Sequence, residues 1–156
     1  MNISSKKIIE ILLFGLILLW CIGIIWELVV QQFPQLLIAL PFLKYNYSIV
    51  CHAEPEKLFH IGNFRTLVCS RCTGIYFGSL FSAFLILIGK YKNVSTKVLL
   101  LSSIPMFLDV LLYRLGFYTY SHNLSLLTGL LLGSVGFIYI QDALIKTLLE
   151  MKKELN

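Results

Sequence analysis

The sequence has 156 residues, the length of one domain, and 58% of them are hydrophobic whereas only 13% are charged. The mean hydropathy is +0.82. These values exclude an ordinary soluble domain and indicate that lipid surrounds most of the chain. The net charge of +5 does not indicate nucleic-acid binding, because the basic residues lie in short flanks between apolar runs. We therefore expect a single membrane domain over residues 1–156, with the lipid bilayer as its partner.

The first apolar run covers residues 8–30 and is long enough to cross a bilayer. It follows Lys6 and Lys7, as a signal peptide would, but no small-residue cleavage site follows it, so we expect an uncleaved transmembrane helix. Pro34 and Pro41 then bound an apolar stretch that is too short to span. This pattern indicates an interfacial or re-entrant segment.

Three later apolar runs, over residues 73–89, 97–115 and 123–141, predict three more transmembrane helices. Small residues recur in the second and fourth spans, which favours close packing between helices. Pro105 predicts a kink in the third span, and the charged tail is expected to continue the fourth helix. The predicted fold is therefore all-α: a polytopic membrane bundle of four transmembrane helices, with a Cys/His-rich loop over residues 51–72 between the first and second.

Four spans place both termini on the same side of the membrane. Basic residues are more numerous in the N-terminal segment, the loop between the second and third spans and the tail than on the opposite side. Because cytoplasmic segments carry the excess of lysine and arginine, we expect both termini to be cytoplasmic, in the cell (inner or cytoplasmic) membrane. The loop over residues 51–72 would then be extracytoplasmic.

The thiols and imidazoles of this loop are the residue types that bind metals. Cys69 and Cys72 form a C-x-x-C pair, and Cys51 adds a third thiol with His52 beside it. Thiolate and imidazole ligands suit a four-coordinate zinc ion. We therefore predict that Cys51, His52, Cys69 and Cys72 bind zinc or a similar transition metal. Other sources for the fourth ligand are His60, His122, Asp109 and water.

Two other interpretations of the same thiols stay open. Cys69 and Cys72 could exchange disulfides, because Cys69 would begin a helix where the dipole and Arg71 favour the thiolate. Such a thiol–disulfide oxidoreductase could pass electrons to a quinone-like molecule. Alternatively, a disulfide from Cys51 to one of them could tie down the loop in a structural or assembly subunit.

Polar residues in and beside the later spans extend this site. An ionisable group inside a membrane helix marks a site or an ion pair, and Asp109 is such a group. His122 opens the fourth span from the side on which the loop lies, so we expect one polar pocket that includes the C-x-x-C pair. The alternative for Asp109 is a structural salt bridge with Arg71 or Arg114.

Roles in this pocket follow from residue chemistry. Arg71 and His122 are the expected binding residues for a cofactor or an anionic head group. Glu56 and Asp109 are the expected catalytic bases if a bound metal activates water against a lipid or head-group substrate. An enzyme of this kind, the oxidoreductase and the structural subunit remain alternatives on the sequence alone.

The pattern C-H-x-x-P-E followed by C-x-R-C-x-G-x-Y-x-G resembles domain-of-unknown-function family 2085, which groups small bacterial and archaeal membrane proteins. Lys57 stands where arginine is usual, and Ser125 stands where the family often has an arginine before a Thr-Gly pair. The resemblance covers residues 51–133, implies the four-span fold and the site, and supplies no reaction. The matching residues are Cys51, His52, Pro55, Glu56, Phe59, Cys69, Arg71, Cys72, Gly74, Tyr76, Gly78, Pro105, Asp109, Thr128 and Gly129.

Overall fold

The computed structural model describes residues 3–52, 54–62, 64–90 and 94–154. Most of these residues are helical. The helices are α1 (Ile3–Ile24), α2 (Trp26–Gln32), α3 (Leu40–Val50), α4 (Ser70–Leu87), α5 (Thr96–Arg114) and α6 (His122–Glu154). Two 3-10 helices cover Pro34–Ala39 and Pro55–Lys57, and two strands are β1 (Leu58–Ile61) and β2 (Phe64–Cys69).

Four of the described helices are long and apolar enough to cross a membrane: Lys6–Ile24, Ser70–Leu87, Thr96–Arg114 and His122–Leu148. Their exposed faces carry large apolar side chains such as Leu19 and Leu101. Lipid rather than water suits such surfaces, because isolated soluble domains seldom expose apolar patches of this extent. The predicted four-helix membrane architecture is confirmed at this level.

The first span is shorter than the sequence pattern indicates. The pattern predicts one helix over residues 8–30, but α1 ends before Ile25, whose φ of −98° and ψ of 22° interrupt the helix before α2. After the interruption, the Glu27 side chain contacts later parts of the chain. Its carboxylate accepts the backbone N–H of Arg65 in the loop over residues 51–72 at 3.2 Å and lies 3.4 Å from Lys44 Nζ on α3. A continuous apolar helix would have left this charge without such partners.

The segment expected to be interfacial or re-entrant is helical, as a 3-10 helix and then α3. Pro41 lies in the first turn of α3. A proline costs little there, because the missing N–H would have had no partner within the helix. Apolar side chains of this segment are exposed, among them Ile38 and Phe42.

The sequence predicts an all-α fold, and the structure adds a small antiparallel hairpin within residues 51–72. Residues 53 and 63 of this loop lie outside the described residues. Leu58 pairs with Cys69, and Gly62 (φ 62°) lies in the turn. The buried Thr66 hydroxyl accepts the backbone N–H of Phe59 at 3.1 Å. The hairpin thereby delivers Cys69 directly to the start of α4.

Helices α4 and α6 touch backbone to backbone. Four glycines make this approach possible, because a Cβ at any of them would overlap a carbonyl oxygen of the other helix. Hydroxyl groups strengthen the contact, as Ser82 Oγ donates to the Ser134 carbonyl at 2.8 Å. The glycine–carbonyl pairs are Gly74 with Leu126, Gly78 with Leu130, Gly129 with Arg71 and Gly133 with Ile75.

A small apolar core joins α1, α3 and the hairpin. Its buried members are Ile24, Tyr47, Cys51, Leu67 and Val68. The Tyr47 hydroxyl donates to the Trp20 carbonyl at 2.7 Å, which satisfies a buried polar group and fixes α3 against α1. This core holds the end of α3 next to the end of β2.

Candidate functional site

Three cysteines reach one place from three different elements. Cys51 follows α3 in an extended conformation (φ −145°, ψ 130°), with its N–H bonded to the Tyr47 carbonyl at 2.9 Å. Cys69 ends β2 and precedes α4, again extended (φ −63°, ψ 158°). Cys72 lies in the first turn of α4. The apolar core, the hairpin and the helix start therefore position one thiol each.

The three sulfur atoms all lie within 4.8 Å of one another. A tetrahedral ion with bonds of about 2.3 Å separates its thiolate sulfurs by about 3.8 Å, so only small side-chain shifts are needed to hold one. The backbone N–H of Cys69 donates to Cys51 Sγ at 3.3 Å, a contact that also suits a metal-bound thiolate. None of the four cysteines, all of which the structure describes, forms a disulfide. The residues fit a thiophilic metal ion.

The surroundings of Cys69 differ from the sequence expectation. Its hydrogen bond with Cys51 and its burial raise the pKa of the Cys69 thiol, although a hydrogen bond from Cys72 opposes them. Proximity to Arg71 is expected to favour the thiolate, but the Arg71 guanidinium pairs with Asp109 instead. The thiols thus lie in a setting that disfavours free negative charge, which a bound cation would reverse.

The structure does not bring all predicted ligands to the thiols. Among the described residues, the group that could hold a metal contains only Cys51, Cys69 and Cys72. His52 is exposed although it follows Cys51 directly, and Glu56 is exposed as well. The fourth coordination position of the three-thiol site is therefore open to water, to a substrate or to a nearby side chain that moves toward the thiols.

His122 lies beside the site rather than among the thiols. Its Nδ1 is 2.9 Å from Ser70 Oγ, and Ser70 Oγ also donates to the Lys57 carbonyl at 3.1 Å. The rings of His60 and Tyr120 pack edge-on against the His122 ring, with centroid distances of 6.3 and 5.1 Å. His122 thereby connects the start of α6 to the start of α4 and to the hairpin.

Asp109 occupies a polar network in the interior of the bundle and is only 4% exposed. Arg71 Nη2 is 2.6 Å from Asp109 Oδ2, and Ser125 Oγ donates to the same oxygen at 3.0 Å. The Tyr118 hydroxyl donates to Asp109 Oδ1 and, at 3.0 Å, to the Asp109 carbonyl. Of the two interpretations of Asp109, the ion pair with Arg71 is present.

Tyr118 is a member of this network that sequence analysis missed. The sequence gives only a weak indication of it, because Tyr118 is one of several tyrosines near the end of α5, the helix that contains Asp109. The sequence marks Ser125 only as a residue that stands where the family often has an arginine. Its hydroxyl supplies a hydrogen bond where that pattern often has an arginine.

Comparisons with known proteins agree with the membrane-spanning fold described above. Residues 51–139, more than half of the chain, match the model of a family described as predicted membrane protein (DUF2085). An uncharacterized protein of Methanothermobacter thermautotrophicus is 36% identical over 88 residues, which are 54% of this chain and 78% of that protein. The matched residues begin at Cys51 and also include Cys69 and Cys72.

A second relative is an uncharacterized protein of Methanocaldococcus jannaschii, which is 31% identical over 98 residues. These residues are 60% of this chain and 63% of that protein. No solved structure matches the chain.

Proposed function

Because the chain belongs to the DUF2085 family of predicted membrane proteins, we propose that it is a membrane metalloprotein whose thiols Cys51, Cys69 and Cys72 bind a zinc ion or a similar transition metal. The observation that carries this proposal is the approach of three sulfur atoms to within 4.8 Å. Thiolates select soft and borderline metals, zinc first among the common ones.

The arrangement supports a preformed site. Cys51 is 7% exposed and belongs to the apolar core, and the Cys69 N–H points at its sulfur. Cys72 is fixed by the first turn of α4. Such a site costs little reorganisation when the metal binds, and the bound metal would in turn hold α3, the hairpin and α4 together.

The fourth ligand decides between a structural and a catalytic metal. A closed site would need one more side chain, for which His52 is the nearest in sequence. An open site would carry water, which a zinc ion activates as a nucleophile near neutral pH. In that case the substrate would be a lipid or its head group, since the site lies where the candidate spans α4, α5 and α6 end or begin.

In this proposal Arg71 and Asp109 have linked roles. Asp109 orients Arg71 beside the thiols through the 2.6 Å ion pair. Arg71 then offers its remaining N–H groups to an anion at the membrane surface. Glu56 is the remaining carboxylate for proton transfer, and its exposed position would require the bound substrate to approach from the loop.

We place the thiols on the extracytoplasmic side of the cell membrane, with both termini in the cytoplasm. The distribution of lysines supports this orientation: Lys6 and Lys7 lie at the start of the first span, and Lys90 and Lys97 flank the loop between α4 and α5. Fusion of a reporter that is active only in the cytoplasm to the C-terminus tests it. Absence of reporter activity in an expressed fusion would contradict the orientation and leave the metal site in place.

Bound metal and reactive thiols, measured on protein purified in mild detergent without a chelator, test the metal proposal. We expect about one zinc per chain in the wild type, by analogy with three-thiolate sites. Cys69→Ser and Cys72→Ser should lose it. Cys21→Ser is the matched control, because Cys21 is buried elsewhere and its Sγ bonds to the Tyr76 carbonyl at 3.5 Å.

The same sulfur distances support one alternative. Cys69 and Cys72 could be oxidised to a disulfide, with two electrons and two protons passing to a quinone that becomes a quinol. Protein without metal, in which two thiols react only after a reductant is added, would favour this oxidoreductase and refute the metal site.

A further inference from the structure

A polar cleft of about 360 Å³ lies at the start of α4 and the end of α5, and it is lined by Arg71, which stands between Cys69 and Cys72 in the sequence. It opens at the level where candidate spans give way to loops, which is the head-group level of a bilayer. Three of its side chains are cationic and one is a carboxylate. The lining residues are Glu54, Lys57, Arg71, Val110, Tyr113, Arg114 and Tyr120.

The charges of this cleft are only partly compensated. Lys57 Nζ is 2.5 Å from Glu54 Oε2, and Arg71 is paired with Asp109. Arg114 is exposed and has no ion-pair partner among the residues that the structure describes. The cleft therefore keeps one positive charge at its rim, which favours an anionic ligand.

Two buried donors of the cleft lack acceptors. Arg71 Nε and the Tyr120 hydroxyl have no hydrogen-bond partner among the described residues, although both side chains line the cleft. A buried unpaired donor destabilises the fold unless something else accepts from it. An oxyanion with several acceptor oxygens, such as a phosphate group, satisfies both the donors and the charge.

An apolar groove of about 540 Å³ lies along α5. Val110 lines both the groove and the cleft, so the two spaces adjoin the same side chain. The groove lies within the candidate span, where hydrocarbon is the surrounding phase. Its other lining residues are Leu100, Ser103, Ile104, Met106, Phe107, Leu108 and Leu132.

We propose that the cleft binds the phosphate-bearing head group of an anionic membrane lipid and that the groove holds one of its hydrocarbon chains. A polar cleft and an apolar groove that share the lining residue Val110 match an amphiphile rather than free phosphate. Ordinary lipid contact would need the groove alone. None of the three thiols lines the cleft, so lipid binding there does not depend on whether they hold a metal. Arg71 is the residue that the two proposed sites share.

Native mass spectrometry of the full chain in mild detergent tests the proposal with two lipids of identical chains, dioleoyl phosphatidylglycerol and dioleoyl phosphatidylcholine. We expect the anionic lipid to bind about tenfold more tightly, because both lipids carry a phosphate but the choline cation of phosphatidylcholine opposes the positive charge of the cleft. Equal affinity for the two lipids would overturn the anionic specificity. Glycerol 3-phosphate that binds as tightly as the anionic lipid would overturn the lipid assignment, because the groove would then contribute nothing.

Arg114→Gln should reduce phosphatidylglycerol affinity about tenfold and phosphatidylcholine affinity less, because the choline cation already weakens the pairing of that lipid's phosphate with Arg114. Arg65→Gln is the matched control, since Arg65 is also an exposed arginine but lines a different cleft, beside Glu27 and Lys44. Equal losses in both variants would reduce the effect to general surface charge and overturn the site. Melting temperatures in detergent, expected to be unchanged in both variants, separate loss of binding from loss of folding.

Discussion

Arg71, in the first turn of α4, forms an ion pair with Asp109 inside α5, with 2.6 Å between Arg71 Nη2 and Asp109 Oδ2. The pair joins the helix that carries the C-x-x-C motif to a helix that carries none of the thiols. Each charge is acceptable within the bundle because the other is present, and Ser125 and Tyr118 supply further hydrogen bonds. The pair therefore sets the position of α5 at the site.

Asp109→Leu should strongly destabilise the protein, by about 3–5 kcal/mol, because Arg71 would be left as a half-buried, uncompensated charge. Thermal unfolding in detergent measures the effect. Asp142→Leu is the control, since Asp142 pairs with the exposed Lys146 four residues later on the same helix, and we expect a much smaller change there.

The double variant Arg71→Met with Asp109→Leu tests the reason for that loss. Removing both charges should recover most of the stability, because the cost arises from one unpaired charge. A double variant as unstable as Asp109→Leu alone would show that the carboxylate acts through its other hydrogen bonds.

Gly133→Val should separate α4 from α6, because a Cβ at Gly133 would overlap the Ile75 carbonyl oxygen. Overpacking of this kind costs about 1–3 kcal/mol, and the melting temperature should fall accordingly. Gly136→Val is the control on the same helix, where a Cβ would be 3.9 Å from Leu99 Cδ1. Equal effects of the two variants would mean that helix propensity, not the close contact, is responsible.

The proposed metal site predicts a stability effect that depends on the thiols. A strong chelator should lower the melting temperature of the wild type, because a metal that binds only the folded state stabilises it. Cys51→Ser should melt at the lower temperature with or without chelator. Chelator sensitivity that persists in Cys51→Ser would place the metal elsewhere.

The Tyr118 phenol provides a pH-dependent prediction. Desolvation and then its hydrogen bond to Asp109 raise the pKa of Tyr118 to about 12. Since the folded-state pKa lies above the ordinary value of about 10, the contribution of the neutral phenol is complete below pH 10 and is lost as the pH rises to 12. Wild type should lose more thermal stability than Tyr118→Phe over this window, and equal losses would contradict the prediction.

Hydropathy and residue spacing predicted much of this molecule. Long apolar runs specify membrane helices because a single segment can satisfy its backbone hydrogen bonds in lipid by itself only as a helix. The starts of α4, α5 and α6 fall within three residues of the expected positions. The C-x-x-C spacing places the sulfurs of Cys69 and Cys72 near each other through local backbone geometry, independently of tertiary contacts. The grouping of Cys51 with them depends on tertiary contacts, but the motif pattern indicated it.

The remaining features depend on contacts between residues distant in the sequence. The hairpin forms in a short stretch where apolar and polar residues alternate little. Burial of Thr66 and Val68 decides how β2 pairs with β1. The interruption at Ile25 depends on partners for Glu27 that follow much later in the chain. The unpaired donors of Arg71 and Tyr120 become visible only once three helix ends are assembled.

The glycine contacts between α4 and α6 have a consequence for how a metal could enter or leave. Interlocked backbones move as one body, so Cys72 and the adjoining Cys69 keep their place relative to α6. Cys51 belongs to a different body, the end of α3, which side-chain packing around Tyr47 holds in place. If the thiols hold an ion, its release would require α3 to withdraw Cys51, and weaker packing around Tyr47 would make that release more frequent.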